Sequence, residues 1–220
     1  MKRFSLFMAI LLVASFVTSP YGAGMNHSIP ADTQVSMNDE QCTLSGSDLE
    51  AALAYLKFKE IKSSHIPSGI PAVYGEELAI SFDNVQDAIN KVRVLGPTYG
   101  EEGQKIVLNG DTLNRYVTIG SQISCQYCCS AKTLVREDGI AACGCAHSIM
   151  MRGLTAYLIE NHPEISNEQI LDELNTWKIA YFPKQTLTAK LGEMEKSGDT
   201  SVREIMNEFP DFLPKMVGGC

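Results

Sequence analysis

Apolar side chains recur along most of this chain at three- and four-residue intervals, the spacing of one face of an α-helix. Leu49, Ala52, Leu53 and Leu56 hold that spacing and Ile61 extends it, behind a capping box formed by Ser47 and Glu50. The stretch His65-Ile66-Pro67-Ser68-Gly69-Ile70-Pro71 ends this helix with turn residues. Residues 78–82 alternate weakly and predict a strand. Asp83 and Gln86 open a second helix with Val85, Ala88, Ile89 and Val92 on one face, closed by Gly96-Pro97. A loop at 99–103, a strand at 105–108, an Asn109-Gly110 turn and a short helix from Asp111 through Arg115 follow. The last third is helical throughout. Ser148 caps a helix carrying Met151, Leu154, Tyr157 and Leu158, which ends near Asn161 and Pro163. Ser166 and Gln169 start another, with Ile170, Leu171, Leu174 and Trp177, which stops before Pro183. Residues 186–196 and 201–209 complete the set, the latter behind a capping box of Ser201 and Glu204.

Residues 125–147, CQYCCSAKTLVREDGIAACGCAH, break the helical pattern and hold five of the seven cysteines and one of the four histidines. The order is C-x2-C-C followed by C-x-C-x-H. Two intervening residues let a tight turn aim Cys125 and Cys128 at one point, as a thiolate pair grips a tetrahedral metal. Residues 132–135 are apolar and β-branched in part, and Asp138-Gly139 is a hairpin turn signal. Pairing 133–135 with 140–142 would carry Cys143 and Cys145 back beside Cys125 and Cys128, with His147 close behind. The outline resembles a zinc ribbon, although the second knuckle is C-x-C. The predicted fold class is therefore α+β: a small mixed N-terminal part, 42–120, then a Cys-rich β-hairpin docked on a C-terminal helical bundle, 121–215.

Cys125, Cys128, Cys143 and Cys145 are the candidate metal ligands, and His147 is a fifth that would replace one cysteine. Four converging N/S donors make zinc the default metal. The same sulfurs would hold an iron–sulfur cluster, and copper(I) accepts soft thiolates. The segment offers six donors where four suffice. Adjacent side chains tend to point apart, so Cys129 is expected to face away from an ion held by Cys128. Two other classes compete. One is a thiol–disulfide oxidoreductase using Cys125 and Cys128, although a thioredoxin-like pair lies between a strand and a helix rather than before a hairpin. The other is a disulfide-stapled structural or interaction domain. No enzyme class is assigned: the chain has no G-x-S-x-G, no H-E-x-x-H and no phosphate-binding glycine loop. His27 and His65 read as solvated and His162 as a helix-end cap, while Met150, Met151 and Met194 read as core filler.

Charge and targeting narrow the setting. The formal net charge is −8, and the first 24 residues contribute Lys2 and Arg3 with no acid, so the remainder is more acidic still. Such a body lacks the basic patches that nucleic acid rewards. Lys2-Arg3 followed by the apolar run 4–17 is a secretory signal pattern. Small Gly22 and Gly24 suit a cut after residue 24, and the run 4–23 is also close to the ~20 residues of a bilayer anchor. The expectation is an exported, extracytoplasmic protein that touches the membrane only if residues 1–24 stay attached. Residues 25–41 read as a polar tether, and Cys42 and Cys220 as free thiols or a pair.

The piece Cys143-Gly144-Cys145-Ala146-His147 resembles the C-Y-C-G-C motif of a family of small exported prokaryotic proteins. The wider block from Cys125 to about Pro183, with CQYCC, CGCAHS, MRGL, Trp177-Lys178 and Phe182-Pro183, is similar to a module of membrane-tethered prokaryotic proteins. The Pro-Cys-Tyr lead of the first family is missing here and the Cys125 group is extra. The resemblance implies an exported cysteine/histidine site and carries no named reaction.

Overall fold

Every described secondary-structure element is helical. The computed structural model describes residues 46–96, 106–208 and 213–218, all within the unit Leu44–Cys220. In chain order these give α1 (Gly46–His65), α2 (Gly75–Leu78), a 3-10 turn (Phe82–Asn84), α3 (Val85–Val92), α4 (Gly110–Gly120), α5 (Ala146–Asn161), α6 (Asn167–Tyr181), α7 (Pro183–Lys196) and α8 (Ser201–Glu208).

The unit is arranged around α5. Ile149, Met150, Met151, Leu154, Ala156, Leu158 and Ile159 are buried on it, and so are His147, Ser148, Arg152 and Thr155. A helix buried on nearly all sides belongs inside a core, and α3, α4 and α6 lie against it. The approach of α3 depends on Gly153, where a Cβ would stand 2.3 Å from the Val92 carbonyl oxygen. From α6 come Ile170, Leu174, Trp177 and Tyr181. The buried indole Nε1 of Trp177 donates to Tyr74 Oη at 2.8 Å, which donates to the Glu173 carboxylate at 2.7 Å. Burying Trp and Tyr with their polar tips satisfied keeps their large apolar contribution without an unpaired donor. The box predicted at the start of α6 forms: Gln169 N–H donates to Ser166 Oγ at 3.2 Å and Ser166 N–H to Gln169 Oε1 at 2.8 Å. A second cluster joins Ala54, Phe58 and Ile61 of α1 to Leu187 and Leu191 of α7 and Val202 and Ile205 of α8.

The α+β expectation is overturned: no strand occurs among the described residues. Residues 78–82 close α2 and enter the 3-10 turn instead. Ala79 takes left-handed backbone at φ 50° as the α2 cap, and the Ser81 side chain accepts from Asp83 N–H. Ile80 N–H is taken by the Gly75 carbonyl and Phe82 N–H by that of Gly69, so neither is free for a ladder. Residues 106–109 are irregular. The β-hairpin is also absent. The Asp138-Gly139 turn forms, with Gly139 at φ 79°, but it closes only an isolated bridge between Val135 and Ala141. Leu134 N–H is shared by the carbonyls of Gly120 and Ile123, and Val135 N–H goes to Gly120. Residues 134 and 135 are therefore tied to the end of α4 rather than free to pair along a strand.

Three helix details differ as well. α1 turns Ala54, Phe58 and Ile61 inward and leaves Leu49, Leu53 and Leu56 exposed at 50%, 57% and 60%. α4 begins one residue after its cap Asn109, ahead of the expected start at Asp111, and runs on to Gly120 rather than ending at Arg115. α5 starts at Ala146, with Cys145 rather than Ser148 as its cap. The proposed leader or anchor at 1–24, the tether at 25–41, the loop at 99–103, Cys42 and Cys220 lie outside the described residues. Among those described, no helix is long and apolar enough to cross a membrane.

Candidate metal centre

The cysteines come together in the connection between α4 and α5. Its middle is pinned by buried Leu134 and Val135. Val135 reaches Gly120 so closely that a Cβ there would lie 2.7 Å from Val135 Cγ2. Arg152 of α5, fully buried, donates from Nη1 to the Cys143 carbonyl at 2.8 Å and to that of Leu134 at 3.4 Å. The guanidinium thereby fixes the second cysteine group against the helix that the first group also meets.

The C-x2-C-C stretch turns at Gln126, which holds φ at 73°, and Tyr127 N–H closes the turn on the Cys125 carbonyl at 3.0 Å. Positive φ is uncommon for a side chain of this kind. The turn splits the neighbouring sulfurs into two directions. Cys125, Cys129 and Cys145 form one group, with their sulfurs all within 4.8 Å of one another. Cys125 Sγ lies 3.6 Å from Cys145 Sγ and 3.9 Å from Cys129 Sγ. Cys128, Cys145 and His147 form the other group, again within 4.8 Å. Cys145 belongs to both. Cys143 is in neither group, but its sulfur is 2.8 Å from that of Cys129. This exceeds the ~2.05 Å of a disulfide bond, and both thiols are free.

Cys145 occupies the N-cap of α5, where Ser148 N–H points at its sulfur from 3.4 Å. The hydrogen bond from the Cys125 thiol, followed by the Ser148 donors, holds Cys145 below the ordinary thiol range, against the opposing effect of burial. The positive end of the helix macrodipole acts in the same direction. Cys125 is the mirror case: its bond to Cys145 and its burial push its thiol up. Burial, then the contact with Cys129, pushes Cys143 up to about 11.

No family of proteins, no curated protein and no solved structure matches this chain. The centre is therefore read from its own chemistry. A cluster of cysteines and a histidine lies close enough together to bind a metal ion. Of the residues singled out in the sequence, Cys125 and Cys145 meet in one group, and Cys128, Cys145 and His147 in the other. Cys129, expected to face away, joins Cys125 and Cys145. Cys128 and Cys129 fall in different groups, although both lie within 4.8 Å of Cys145, and the residue type at 126 gives no hint of the turn that decides which sulfur goes where. Cys128 is engaged in a disulfide while Cys125 is a free thiol, so the C-x2-C pair is not bonded to itself. A disulfide sulfur carries no thiolate charge for a metal, so Cys128 serves one role or the other. His65 bonds the Ile61 carbonyl at the end of α1, and His162 caps α5 beside Glu77. Neither belongs to a group of converging ligand atoms.

Proposed function

We propose that this chain is an exported metal-binding protein that holds one soft ion through Cys125, Cys129 and Cys145, with Cys143 as the fourth donor and zinc as the ion. The observation that carries the reading is the convergence of three free thiols, Cys125, Cys129 and Cys145, whose sulfurs all lie within 4.8 Å of one another. Two sulfurs each ~2.3 Å from a tetrahedral zinc stand about 3.8 Å apart, and the 3.6 and 3.9 Å separations at Cys125 bracket that value. Cys125 and Cys145 are buried, while Cys129 and Cys143 are partly exposed and leave the ion a way in. Export is supported by the Lys2-Arg3 and apolar 4–17 pattern and by the Cys128 disulfide, a bond that persists in oxidising compartments.

The test is anaerobic purification followed by elemental analysis and an absorption spectrum. One equivalent of zinc without visible absorption is expected. Visible charge-transfer bands with iron and sulfide would instead assign a cluster, and bound copper(I) would assign a copper site. Cys125→Ser, Cys129→Ser and Cys145→Ser should each release the ion. Full metal content in all three variants would refute the centre.

A further inference from the structure

His147 has one nitrogen committed and one idle. Its ring is fully buried, held between Tyr181 and Phe182 at centroid distances of 4.7 and 4.9 Å. Nε2 lies 2.6 Å from the Val217 carbonyl oxygen. A carbonyl only accepts, so Nε2 carries the proton and Nδ1 keeps its lone pair. Nδ1 is buried and has no hydrogen-bond partner. Leaving a buried acceptor unmatched costs about 1–3 kcal/mol, and a metal-binding histidine commonly donates its far nitrogen to a carbonyl in this way. The chain segment carrying that carbonyl is itself fixed, since Val217 N–H donates to the Tyr181 carbonyl at 3.1 Å. Gly218 passes so near that a Cβ there would lie 2.8 Å from Nε2.

The donors around His147 are Cys145, which belongs to the first ligand set, and Cys128, which is in a disulfide. We infer that Cys128, Cys145 and His147 form a second metal position, closed while the Cys128 disulfide is intact and opened by a dithiol reductant, with the Cys145 sulfur bridging the two ions. This rests on the first position binding metal as proposed above. The opening step balances. The dithiol gives two electrons and two protons to the Cys128 disulfide, whose S–S bond breaks to two thiols, and the reductant leaves as its own disulfide. Cys128 then loses its proton to solvent as the metal binds. A thiolate sulfur has lone pairs enough to bridge two soft cations. The three donor atoms, all within 4.8 Å, need contract by only about 1 Å to reach tetrahedral separations.

The experiment titrates the full chain with Co(II), whose thiolate charge-transfer and d–d bands report each site. Two preparations are compared: one with the Cys128 disulfide verified by peptide mass spectrometry, and one reduced by a dithiol that is removed anaerobically. The oxidised form should take one equivalent and the reduced form two. Cys128→Ser should take one equivalent under both conditions, which ties the gain to Cys128 rather than to any other thiol. His147→Ala should likewise lack only the second equivalent. Should that variant fail to fold, Cys128→Ser alone carries the comparison. Equal stoichiometry in the oxidised and reduced parent protein would overturn the second position, as would a second equivalent surviving in Cys128→Ser. If the oxidised form binds nothing and the reduced form one ion that Cys128→Ser abolishes, the first position fails and the bridge with it, while the gated site stands.

Discussion

Gly153 and Gly192 are both helical glycines, and the structure assigns opposite signs to the same substitution at them. At Gly153, in α5, an added Cβ would lie 2.3 Å from the Val92 carbonyl oxygen and 3.2 Å from its carbon. Relaxed C···O contacts lie at about 3.3–3.6 Å, so α3 would have to retreat by about 1 Å. The clash is with backbone rather than with the end of a flexible side chain, and overpacking of this kind costs about 3 kcal/mol at the upper end of its usual range. Exchanging Gly for Ala within a helix returns about 1 kcal/mol, so Gly153→Ala should lose about 2 kcal/mol net. At Gly192, in α7, an added Cβ meets nothing within 4 Å. Only the propensity gain applies, and Gly192→Ala should stabilise by about 0.5–1 kcal/mol. The assay is urea denaturation of the metal-free protein, because bound metal would add its own free energy to folding. With a slope of about 2 kcal/mol/M, the midpoint should fall by about 1 M for Gly153→Ala and rise by about 0.3–0.5 M for Gly192→Ala. A Gly153→Ala midpoint at or above that of the parent protein would refute the close approach of α3 and α5.

Two further outcomes are expected. Arg152→Met keeps much of the buried volume but removes the charged donor to the Cys143 and Leu134 carbonyls; it should cost about 2–3 kcal/mol and speed alkylation of Cys143 relative to Cys125, and unchanged alkylation would show that the guanidinium does not hold the second cysteine group. The Glu77 carboxylate, bonded first by Tyr157 Oη and then by His162, is held below the ordinary carboxylate range, so its stabilising contribution is complete above the unfolded value of ~4.3 and lost as pH falls through the lower folded value; the lead of the parent protein over Glu77→Gln in thermal melts should therefore shrink on acidification, and a lead that grows would refute the assignment.

What could be read from the sequence and what could not divide along a physical line. The capping box of Ser166 and Gln169, the inward face of α3 and the end of α6 before Pro183 are local: a few neighbouring side chains determine each, so the pattern carries them. The face of α1 is not local. Two apolar stripes overlap on that helix, and the contact with Leu187, Leu191, Val202 and Ile205 selects Ala54, Phe58 and Ile61 over Leu49, Leu53 and Leu56. The two short strands and the hairpin failed for a related reason. Short runs with alternating or β-branched residues suit a strand only if a partner takes their backbone groups, and here the end of α4 and the 3-10 turn take them first. The cysteine segment shows both cases at once. The density of sulfur donors and the histidine is visible in the sequence, and the Asp138-Gly139 turn that folds the segment back is visible too. The grouping of those donors is not. It depends on Gln126, a residue with no special liking for positive φ, adopting 73°, and on Cys145 landing at the first turn of a buried helix. The strain at Gln126 persists because burial of Cys125 on one side and the ring contact of Tyr127 with Phe182 at 5.1 Å on the other hold the turn between two fixed points.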